Sequence, residues 1–442
     1  MDILVLSRIQ FAVTTIFHFL FVPLTIGLSV YVAVFETIGY IKKEVTYNKL
    51  AGFFGKLFII NYAIGVVTGI VQEFEFGMNW SGYARFVGDV FGAPLAIEAL
   101  SAFFLESTFL GVWIFGKNRL PKKIQVMSIW LVAIASNISA YWILVANSFM
   151  QEPTGYEIKD GRAVMTDFFA LIFNKHVALQ FFHTFMAAIV TAACFVIGIS
   201  AYKILKQKEI NTFIPAFKIG VVTCIIGVLG VAMAGDMQGK YLVINQPMKM
   251  AAVEALWDTE KSADFSIIAG IDEKNEEKNF SLEVPGLLSF LAYGNFDSEV
   301  QGIKDLQKEY EATYGEGNYI PPVTITFWSF RFMIGLAGLM ILICLLAVLK
   351  MKNNKFISTK WLLILSICLI PMPFISNSCG WVVTEVGRQP WIVYKLLTVD
   401  QAVSKSVSSG WVLVSLIGFI LIYSFTSVIT IGLMIKTAKK EA

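Results

Sequence analysis

The segment 380–391 (GWVVTEVGRQPW) places a carboxylate and a guanidinium three residues apart, at Glu385 and Arg388. It ends a long apolar run that begins near Trp361. Charged side chains at membrane depth are costly and generally mark a functional site. We therefore expect this segment to lie at the centre of the protein's function, with other isolated polar residues brought to it by the rest of the chain.

Two of the three histidines, His18 and His183, lie six or seven residues inside apolar runs, whereas His176 stands at the entrance of its run. A histidine buried in a bilayer needs a partner, which can be a hydrogen bond, a metal or a cofactor. The residues alone leave two interpretations open for His18 and His183, a ligand or a hydrogen-bonded contact between helices. His176 is predicted to face the membrane interface.

A later apolar run contains Arg331 two residues before Met333. Most methionines fill gaps in cores, and fifteen are present, so the charge beside Met333 is what singles it out. A guanidinium suits carboxylates such as haem propionates, and a His/Met pair is one way of holding a low-spin haem. Met333 is therefore a candidate haem ligand.

Glu98 and Glu106 lie eight residues apart in one apolar run. In a straight α-helix they would be about 80° apart around the axis and about 12 Å apart in depth. They could then line one polar track but not share a ligand position. We expect proton relay or metal ligation, and the alternative is a neutral carboxyl hydrogen-bonded across helices. The next apolar run offers further polar groups at similar depth, Asn137, Ser139 and Asn147.

Nine apolar runs must position these residues. The chain of 442 residues is 56% hydrophobic and 15% charged, whereas soluble domains carry about 25% charged residues. Runs of about 20 apolar residues cross a bilayer as helices, so an all-α integral membrane protein is predicted. The predicted spans are residues 11–35, 53–71, 93–115, 124–149, 177–202, 214–234, 323–349, 361–376 (or to 386) and 411–433.

Lysine-rich connections follow spans one, three, five and seven, and the C-terminal tail is also basic. The positive-inside rule places these connections and the C-terminus in the cytoplasm and the N-terminus outside. The basic residues are thereby explained by topology. With a net charge of only +3, they give no indication of a nucleic-acid partner.

The longest connection, residues 235–322, joins spans six and seven and is acidic and polar. We expect it to form an extracellular, partly mobile lobe inserted in a single membrane domain, residues 1–442. The stretch 249–257 predicts a short amphipathic helix carrying Lys249 and Glu254. Their five-residue spacing is not that of an ion pair within a helix, and a solvated helix face is the alternative.

Taken together, these residues closely resemble subunit I of the cytochrome bd quinol oxidases, over essentially the whole chain. The insertion is similar to the short form of that family's Q-loop. The stretches that carry the resemblance are SRIQFA at 7–12 leading to His18, the Glu98/Glu106 helix, FHT at 182–184, WSFRFM at 328–333 and GW…EVGRQPW at 380–391.

The resemblance implies a terminal respiratory quinol oxidase that oxidises quinol at the outer face and reduces dioxygen to water with cytoplasmic protons. Energy would be conserved by charge separation, without copper and without pumping. The implied cofactors are two haem b groups, one low-spin and one high-spin, and one haem d.

By the same resemblance, His183 and Met333 look like the axial iron ligands of the low-spin haem b, with Arg331 nearby. His18 and Glu385 look like the iron ligands of the two remaining haems. Which of these two residues holds haem d is left open.

The family's pattern also implies a route for protons. Glu98 looks like the carboxylate at the pair of haems outside the low-spin site. Glu106, with Ser107 and Ser139, looks like part of the proton-uptake path from the cytoplasm.

Further residues match the family at the cofactors' periphery. Trp381 would stand between haems, where an aromatic ring assists electron passage. Arg8 and Arg388 would neutralise haem propionates. Lys249 and Glu254 match the family's quinol-binding pair.

The resemblance further implies a partner, a second membrane subunit (subunit II) that forms a heterodimer with this chain. It allows a very small third subunit. The complex would be a multi-pass assembly in the lipid bilayer of a bacterial or archaeal cytoplasmic membrane.

Two alternatives remain. One is a copper-free member of the same family in which haem b replaces haem d. The other is a secondary transporter, which nine spans, intramembrane acids and an eighth helix broken at Pro371 and Pro373 would fit, although no internal repeat is visible. Haem-copper oxidases and di-haem cytochromes b of the bc type need more histidine ligands than the three present.

Overall fold

The chain folds as a bundle of long helices that carries a small folded insertion at one end. A computed structural model describes residues 2–441. Within that range, nine helical segments are long and apolar enough to cross a membrane. The helical fold class and the nine predicted spans are therefore confirmed.

The helices are α1 (Ile3–Phe19), α2 (Val22–Lys42), α3 (Val45–Met78), α4 (Ser81–Glu98), α5 (Phe104–Phe115), α6 (Lys122–Gln151), α7 (Phe168–Ile172), α8 (Lys175–Leu205), α9 (Ile210–Asn245), α10 (Pro247–Glu254), α11 (Leu287–Tyr293), α12 (Ile303–Tyr314), α13 (Val323–Met351), α14 (Lys360–Cys368), α15 (Met372–Val386), α16 (Val399–Ala402) and α17 (Ser409–Lys439). The strands are β1 (Tyr156–Lys159), β2 (Arg162–Met165), β3 (Glu260–Lys261), β4 (Phe265–Asp272), β5 (Glu277–Val284), β6 (Glu299–Val300), β7 (Trp391–Val393) and β8 (Leu397–Thr398). They form four antiparallel pairs, β1–β2, β3–β6, β4–β5 and β7–β8.

Two ends of the bundle can be distinguished by their connections. Because the nine spans alternate in direction, the lysine-rich connections and the C-terminal tail share one end, termed here the lysine side. The N-terminus and the insertion between α9 and α13 share the other end, termed the loop side.

Proline divides two of the spans. The first, predicted as a single helix over 11–35, consists of α1 and α2. Pro23 lacks an N–H group and stands in the first turn of α2, where helices tolerate it. This break places His18 in the last turn of α1. The eighth span divides at Pro371 and continues to Val386, so its predicted break and the longer of its two predicted ends are confirmed.

Close contact between α2 and α8 fixes the helix that carries two of the histidines. A Cβ atom on Gly27 would lie 2.2 Å from the carbonyl oxygen of Ala188 and 2.5 Å from the Cβ of Ala192. Small residues let the backbones of membrane helices approach in this way. The position of α8 in the bundle therefore depends on a glycine at residue 27.

The helix of the sixth span is longer than predicted. Helix α9 continues beyond residue 234 to Asn245. Asp236 and Lys240 form an i,i+4 ion pair at 2.7 Å in this extension, and such pairs stabilise helical turns that lie outside the apolar stretch. The helix therefore ends eleven residues beyond the predicted span, and the boundary of the loop at residue 235 stays a prediction.

Helix α10 opens the insertion and is buried on all sides. The relative exposure of Lys249 is 4% and that of Glu254 is 3%. The interpretation of this helix as a solvated face is therefore wrong. The apolar cluster around it includes Met248, Ala251, Leu306, Tyr310 and Phe327.

A buried ion pair attaches the insertion to α13. Arg331 Nη2 lies 2.6 Å from Glu254 Oε2, and Nη1 lies 3.4 Å from Oε1. Arg331 Nε donates to the backbone oxygen of Ser266 in β4 at 2.6 Å. The guanidinium also lies over the rings of Phe265 and Phe327, at 4.4 and 4.3 Å from their centroids. Planar stacking and bidentate pairing are both suited to arginine rather than lysine.

Replacing Arg331 with Met should lower the thermal stability of the purified complex, because Glu254 would become a buried, unpaired carboxylate. Removing one partner of a buried pair costs about 3–5 kcal/mol. The double variant Arg331→Met/Glu254→Gln should recover part of that loss. The measurement is the midpoint of thermal unfolding in detergent.

The matched control is Lys304→Met. Lys304 pairs with Asp258 at 3.1 Å, and their side chains are 35% and 68% exposed. An exposed pair contributes about 0–1 kcal/mol. Equal losses of stability in the Arg331 and Lys304 variants would contradict the role given to the buried pair.

Candidate functional site

Glu385 lies near the end of α15 and is held by Arg388 of its own segment and by side chains of other segments. Arg388 Nη2 donates to Glu385 Oε2 at 2.5 Å. Asn147 Nδ2, from α6, donates to Oε1 at 2.9 Å. Gln180 Nε2, from α8, donates in turn to Asn147 Oδ1 at 2.7 Å. The segment 380–391 therefore does meet isolated polar residues of other spans.

Gln151 joins this carboxylate to the insertion. Its Nε2 donates to Glu385 Oε1 at 3.4 Å, and its Oε1 accepts from Lys249 Nζ at 2.7 Å. Lys249 Nζ also donates to the backbone oxygen of Thr384 at 3.0 Å. Burial lowers the pKa of Lys249 well below its usual value, the charge of Arg388 adds to this, and Glu385 opposes it. A single amide thus links the candidate quinol residue to the candidate haem ligand.

Lys249 and Glu254 belong to one helix but contact different parts of the bundle. Lys249 reaches α15, whereas Glu254 pairs with Arg331 of α13. Burial raises the pKa of Glu254, and the Arg331 guanidinium opposes that rise. Five residues correspond to about 140° around a helix, so the two side chains leave α10 on different faces and do not meet.

Arg8 and Arg388, expected at haem propionates, and Arg331, expected near the low-spin haem, differ in the hydrogen-bond donors that they leave unpaired. Arg331 directs its donors to Glu254 and Ser266. Arg388 Nε donates to the Trp391 carbonyl at 3.3 Å, but its Nη1 is buried without a partner. The side chain of Arg8 is half-buried on α1 and makes no hydrogen bond or ion pair with the rest of residues 2–441. Arg388 and Arg8 therefore retain donors for an anionic group.

His18 is oriented by a hydroxyl on α3. Its Nδ1 lies 2.9 Å from Thr68 Oγ1, and that hydroxyl donates to the backbone oxygen of Ile64 at 2.9 Å. Because a hydroxyl has one proton, Thr68 accepts from Nδ1–H when it donates to Ile64. Metal-bound histidines are commonly fixed through the second ring nitrogen in this way, and here Nε2 is left as the ligating atom. A Cβ on Gly69 would lie 3.1 Å from the ring.

The two histidines of α8 have opposite surroundings. His176 is buried, and its Nδ1 bonds to Ser148 Oγ at 3.0 Å. The prediction that His176 faces the membrane interface is therefore wrong. His183 Nδ1 is buried without a partner, and a Cβ on Gly235 of α9 would lie 3.7 Å from its ring.

Helix α15 also lies against Met333 and beside the end of α1 that carries His18. A Cβ on Gly380 would lie 3.2 Å from Met333 Sδ. The adjacent Trp381 packs edge-on against Phe19 at 5.2 Å between ring centroids, one residue beyond His18, and its Nε1 is buried without a partner. Helix α15 therefore carries Glu385 and also contacts Met333 and Phe19, the residue that follows His18.

Glu98 and Glu106 share a helix face, contrary to the prediction from straight α-helical geometry. A π-helical turn, Ala99–Phe103, separates them. Its i→i+5 bonds take up one extra residue, so the eight-residue separation behaves as about seven. Seven residues leave the two carboxyls about 20° apart instead of about 80°. Accordingly, both bond to α6, where Ser139 Oγ donates to Glu98 at 2.6 Å and Ser136 Oγ donates to Glu106.

Two serines were predicted to accompany Glu106, and the structure places them differently. Ser139 bonds to Glu98. Ser107 Oγ lies 3.5 Å from the Tyr62 hydroxyl. The serine that contacts Glu106 is Ser136, which sequence reasoning missed.

Other site residues missed from the sequence are polar side chains on the faces of apolar helices. Gln151 follows Asn147 by four residues, and Ser139 follows Ser136 by three. Both spacings place a pair on one helix face. This periodicity could have indicated a polar stripe along α6, but the stripe's partners depend on tertiary packing.

Comparison with known proteins identifies the family. The family model for cytochrome bd terminal oxidase subunit I matches residues 6–442. The chain is 52% identical to cytochrome bd ubiquinol oxidase subunit 1 of Bacillus subtilis (strain 168), over 100% of this chain and 95% of the relative. It is 37% identical to cytochrome bd-II ubiquinol oxidase subunit 1 of Escherichia coli (strain K12), over 99% and 96%.

Solved structures give the same result. The bd oxidase from Geobacillus thermodenitrificans matches with a TM-score of 0.91 and 27% identity, over 99% of this chain and 98% of that one. The resemblance seen in the motifs is thereby confirmed. The chain belongs to the family of cytochrome bd terminal oxidase subunits I.

Proposed function

We propose that this chain is the haem-bearing catalytic subunit of an electrogenic quinol:dioxygen oxidoreductase. As a family member it is a membrane-spanning subunit of a terminal quinol oxidase, an oxidoreductase of respiratory electron transport. The observation that carries the more detailed proposal is the link from Lys249 through Gln151 to Glu385. It connects a polar site beneath the insertion with a charged site inside the bundle.

The residues present fit haem. The buried Nδ1 of His183 and the buried Nη1 of Arg388 lack partners, and His18 presents Nε2. Glycines stand where a Cβ atom would press on His18 and Met333, as Gly69 and Gly380, and Gly235 lies beside His183. When bound, haem supplies electron transfer and the reduction of dioxygen.

We assign the iron ligands as His183 and Met333 for a low-spin haem b, and His18 and Glu385 for the other two haems. The two haems held by His18 and Glu385 would be a high-spin haem b and haem d. The alternative assignment has a further haem b in place of haem d. The partnerless donors of Arg388 and Arg8 suit propionates. Nothing in this assignment requires copper.

Quinol would bind beside α10. A buried lysine with a lowered pKa holds its amine neutral more readily, so Lys249 Nζ can accept a hydrogen bond and then a proton from a quinol hydroxyl. Glu254, held in place by Arg331, lies on another face of the same helix. The protons would leave on the loop side, which the positive-inside rule places outside.

Protons for dioxygen reduction would come from the lysine side. Glu106 is closer to that side than Glu98, and both face the hydroxyls of α6. Ser139, Ser136 and Ser107 would complete this path. Consuming protons from one side while releasing them on the other stores about 2.3 kcal/mol per charge per 100 mV, so charge separation needs no pump.

The chain would form a heterodimer with a second membrane subunit, subunit II. A small third subunit could join this heterodimer. The apolar stretches of the third and ninth spans are largely exposed in the isolated chain, which leaves faces for that partner or for lipid. The curated relatives are bacterial, and the bacterial cytoplasmic membrane is the proposed location.

Replacing Met333 with Leu should disturb the low-spin haem and leave the other two in place. The measurement is the reduced-minus-oxidised optical spectrum of the purified complex, together with quinol oxidase activity. The matched control is Met340→Leu, two turns along α13, where the sulfur contacts Cys194 Sγ at 3.6 Å. Unchanged low-spin absorption and activity in Met333→Leu would remove Met333 from the ligand set.

Replacing Glu106 with Gln should slow turnover by restricting proton delivery, by about 10²-fold or more if the carboxyl acts in proton transfer. Oxygen consumption and membrane-potential generation in proteoliposomes measure the effect. Glu44→Gln is the control, because Glu44 is an exposed carboxylate on the lysine side. Wild-type rates and potential in Glu106→Gln would exclude Glu106 from the path.

A further inference from the structure

Four side-chain hydrogen bonds join α1 to α3 at successive levels, and these pairs are termed here the α1–α3 ladder. It leads from the candidate ligand His18 to the loop-side end of α3. The pairs are His18–Thr68 at 2.9 Å, Thr15–Gln72 at 2.9 Å, Thr14–Glu75 at 3.0 Å and Gln10–Asn79 at 2.9 Å.

Glu75 is the ladder's one carboxyl, and it is 1% exposed. No lysine, arginine or histidine lies within ion-pair distance of it among residues 2–441. An ionised carboxylate without a cation is costly in an apolar interior. The chain therefore offers this group no fixed positive charge, and its protonation must depend on more distant charges.

The groups that face Glu75 are neutral. Helix α1 presents Gln10 and Thr14, and α17 presents the Tyr423 hydroxyl, which is buried and faces Thr14 and Glu75. Helix α4 presents Tyr83, whose ring packs on Phe76. Helices α2 and α9 contact α3 farther toward the lysine side, as at Gly65 against Phe21 and at Phe53 against Phe213.

Thr14 can serve both protonation states of Glu75. Its Oγ1 lies 3.0 Å from the backbone oxygen of Gln10 and 3.0 Å from Glu75 Oε1. A hydroxyl has one proton, so both contacts are hydrogen bonds only when the carboxyl supplies the second proton. When Glu75 is ionised, Thr14 can instead turn its proton to the carboxylate.

Some hydrogen-bonding atoms in and beside the ladder have no close partner. Three of its buried polar atoms lack a close hydrogen-bond partner, and so does Ser7 Oγ, three residues from Gln10 on α1; the three are Gln10 Nε2, Gln72 Oε1 and Glu75 Oε2. The side chains of Gln10 and Glu75 are close enough to interact with each other. Buried polar groups are normally paired with protein or ordered water, and water at these atoms would give Glu75 a proton route toward the loop side.

We propose that Glu75 is a redox-linked protonation site, which exchanges a proton with the loop side when the charge changes on the group held by His18. This inference rests on the proposed role of His18 as an iron ligand. Each electron arriving at that group would raise the proton affinity of Glu75 and draw a fraction of a proton from the loop side, and reoxidation would release it there again.

The separation between Glu75 and Thr68, the residue that holds His18, is suited to such coupling. Thr68, which holds His18, and Glu75 are seven residues apart on α3, or about 10 Å. At an effective dielectric constant of about 20, a unit charge at that distance changes a proton affinity about tenfold. The ladder ends on Nδ1 of His18, so the imidazole ring separates it from the bound group. Protons at Glu75 thus remain distinct from those consumed in dioxygen reduction.

Reduced-minus-oxidised infrared difference spectroscopy of the purified complex tests the proposal. The wild-type protein should show the C=O band of a protonated carboxyl that grows on reduction and shifts in D₂O. Glu75→Gln should lack this band while retaining the optical haem spectrum. The matched control Glu73→Gln, an exposed carboxylate two residues away, should retain it.

A second variant keeps the test decisive if Glu75→Gln does not assemble. Thr14→Val preserves shape but removes the hydroxyl, so the carboxyl band should persist at a shifted frequency. An unaltered carboxyl band in Glu75→Gln, or in Thr14→Val, would overturn the proposal. Absence of haem from the wild-type complex would instead count against the proposed function, so the two failures are distinguishable.

Discussion

The cost of a polar group in an apolar interior is the constraint on which this structure depends. Each charged side chain that the spans carry inward must be paired, hydrogen-bonded or left for a cofactor. Glu385 meets that requirement through Arg388 and Asn147, and Arg331 through Glu254. Asn147 comes from the fourth span and Glu254 from the insertion, so satisfying the charges also fixes how these elements sit against one another.

The same constraint explains where the helices lose regularity. Proline breaks follow His18 in the first span and precede Gly380–Glu385 in the eighth, and a π-helical turn separates Glu98 from Glu106. Irregular backbone is tolerated in a bilayer only where other groups of the protein satisfy it. Here the irregularities reorient side chains: the π-helical turn brings two carboxyls onto the face that meets the hydroxyls of α6.

The sequence was sufficient for properties set by local chemistry, namely nine spans, the broken eighth helix and the isolated charges. It was insufficient where a result depends on packing between distant segments. The burial of α10 follows from contact with α12 and α13, which no feature of the stretch 249–257 reveals. The link through Gln151 requires three segments to meet, and the relation of Glu98 to Glu106 depends on one extra residue in a helical turn.

The measurement that tests the central claim most directly is a reduced-minus-oxidised optical spectrum of the purified complex, combined with extraction and identification of its haems. The account predicts haem b bands together with a chlorin band in the red, in a ratio of two haem b to one haem d. Haem b alone would move the chain to the variant that lacks haem d. A folded complex with its partner subunit but without haem would contradict the account and favour a transporter.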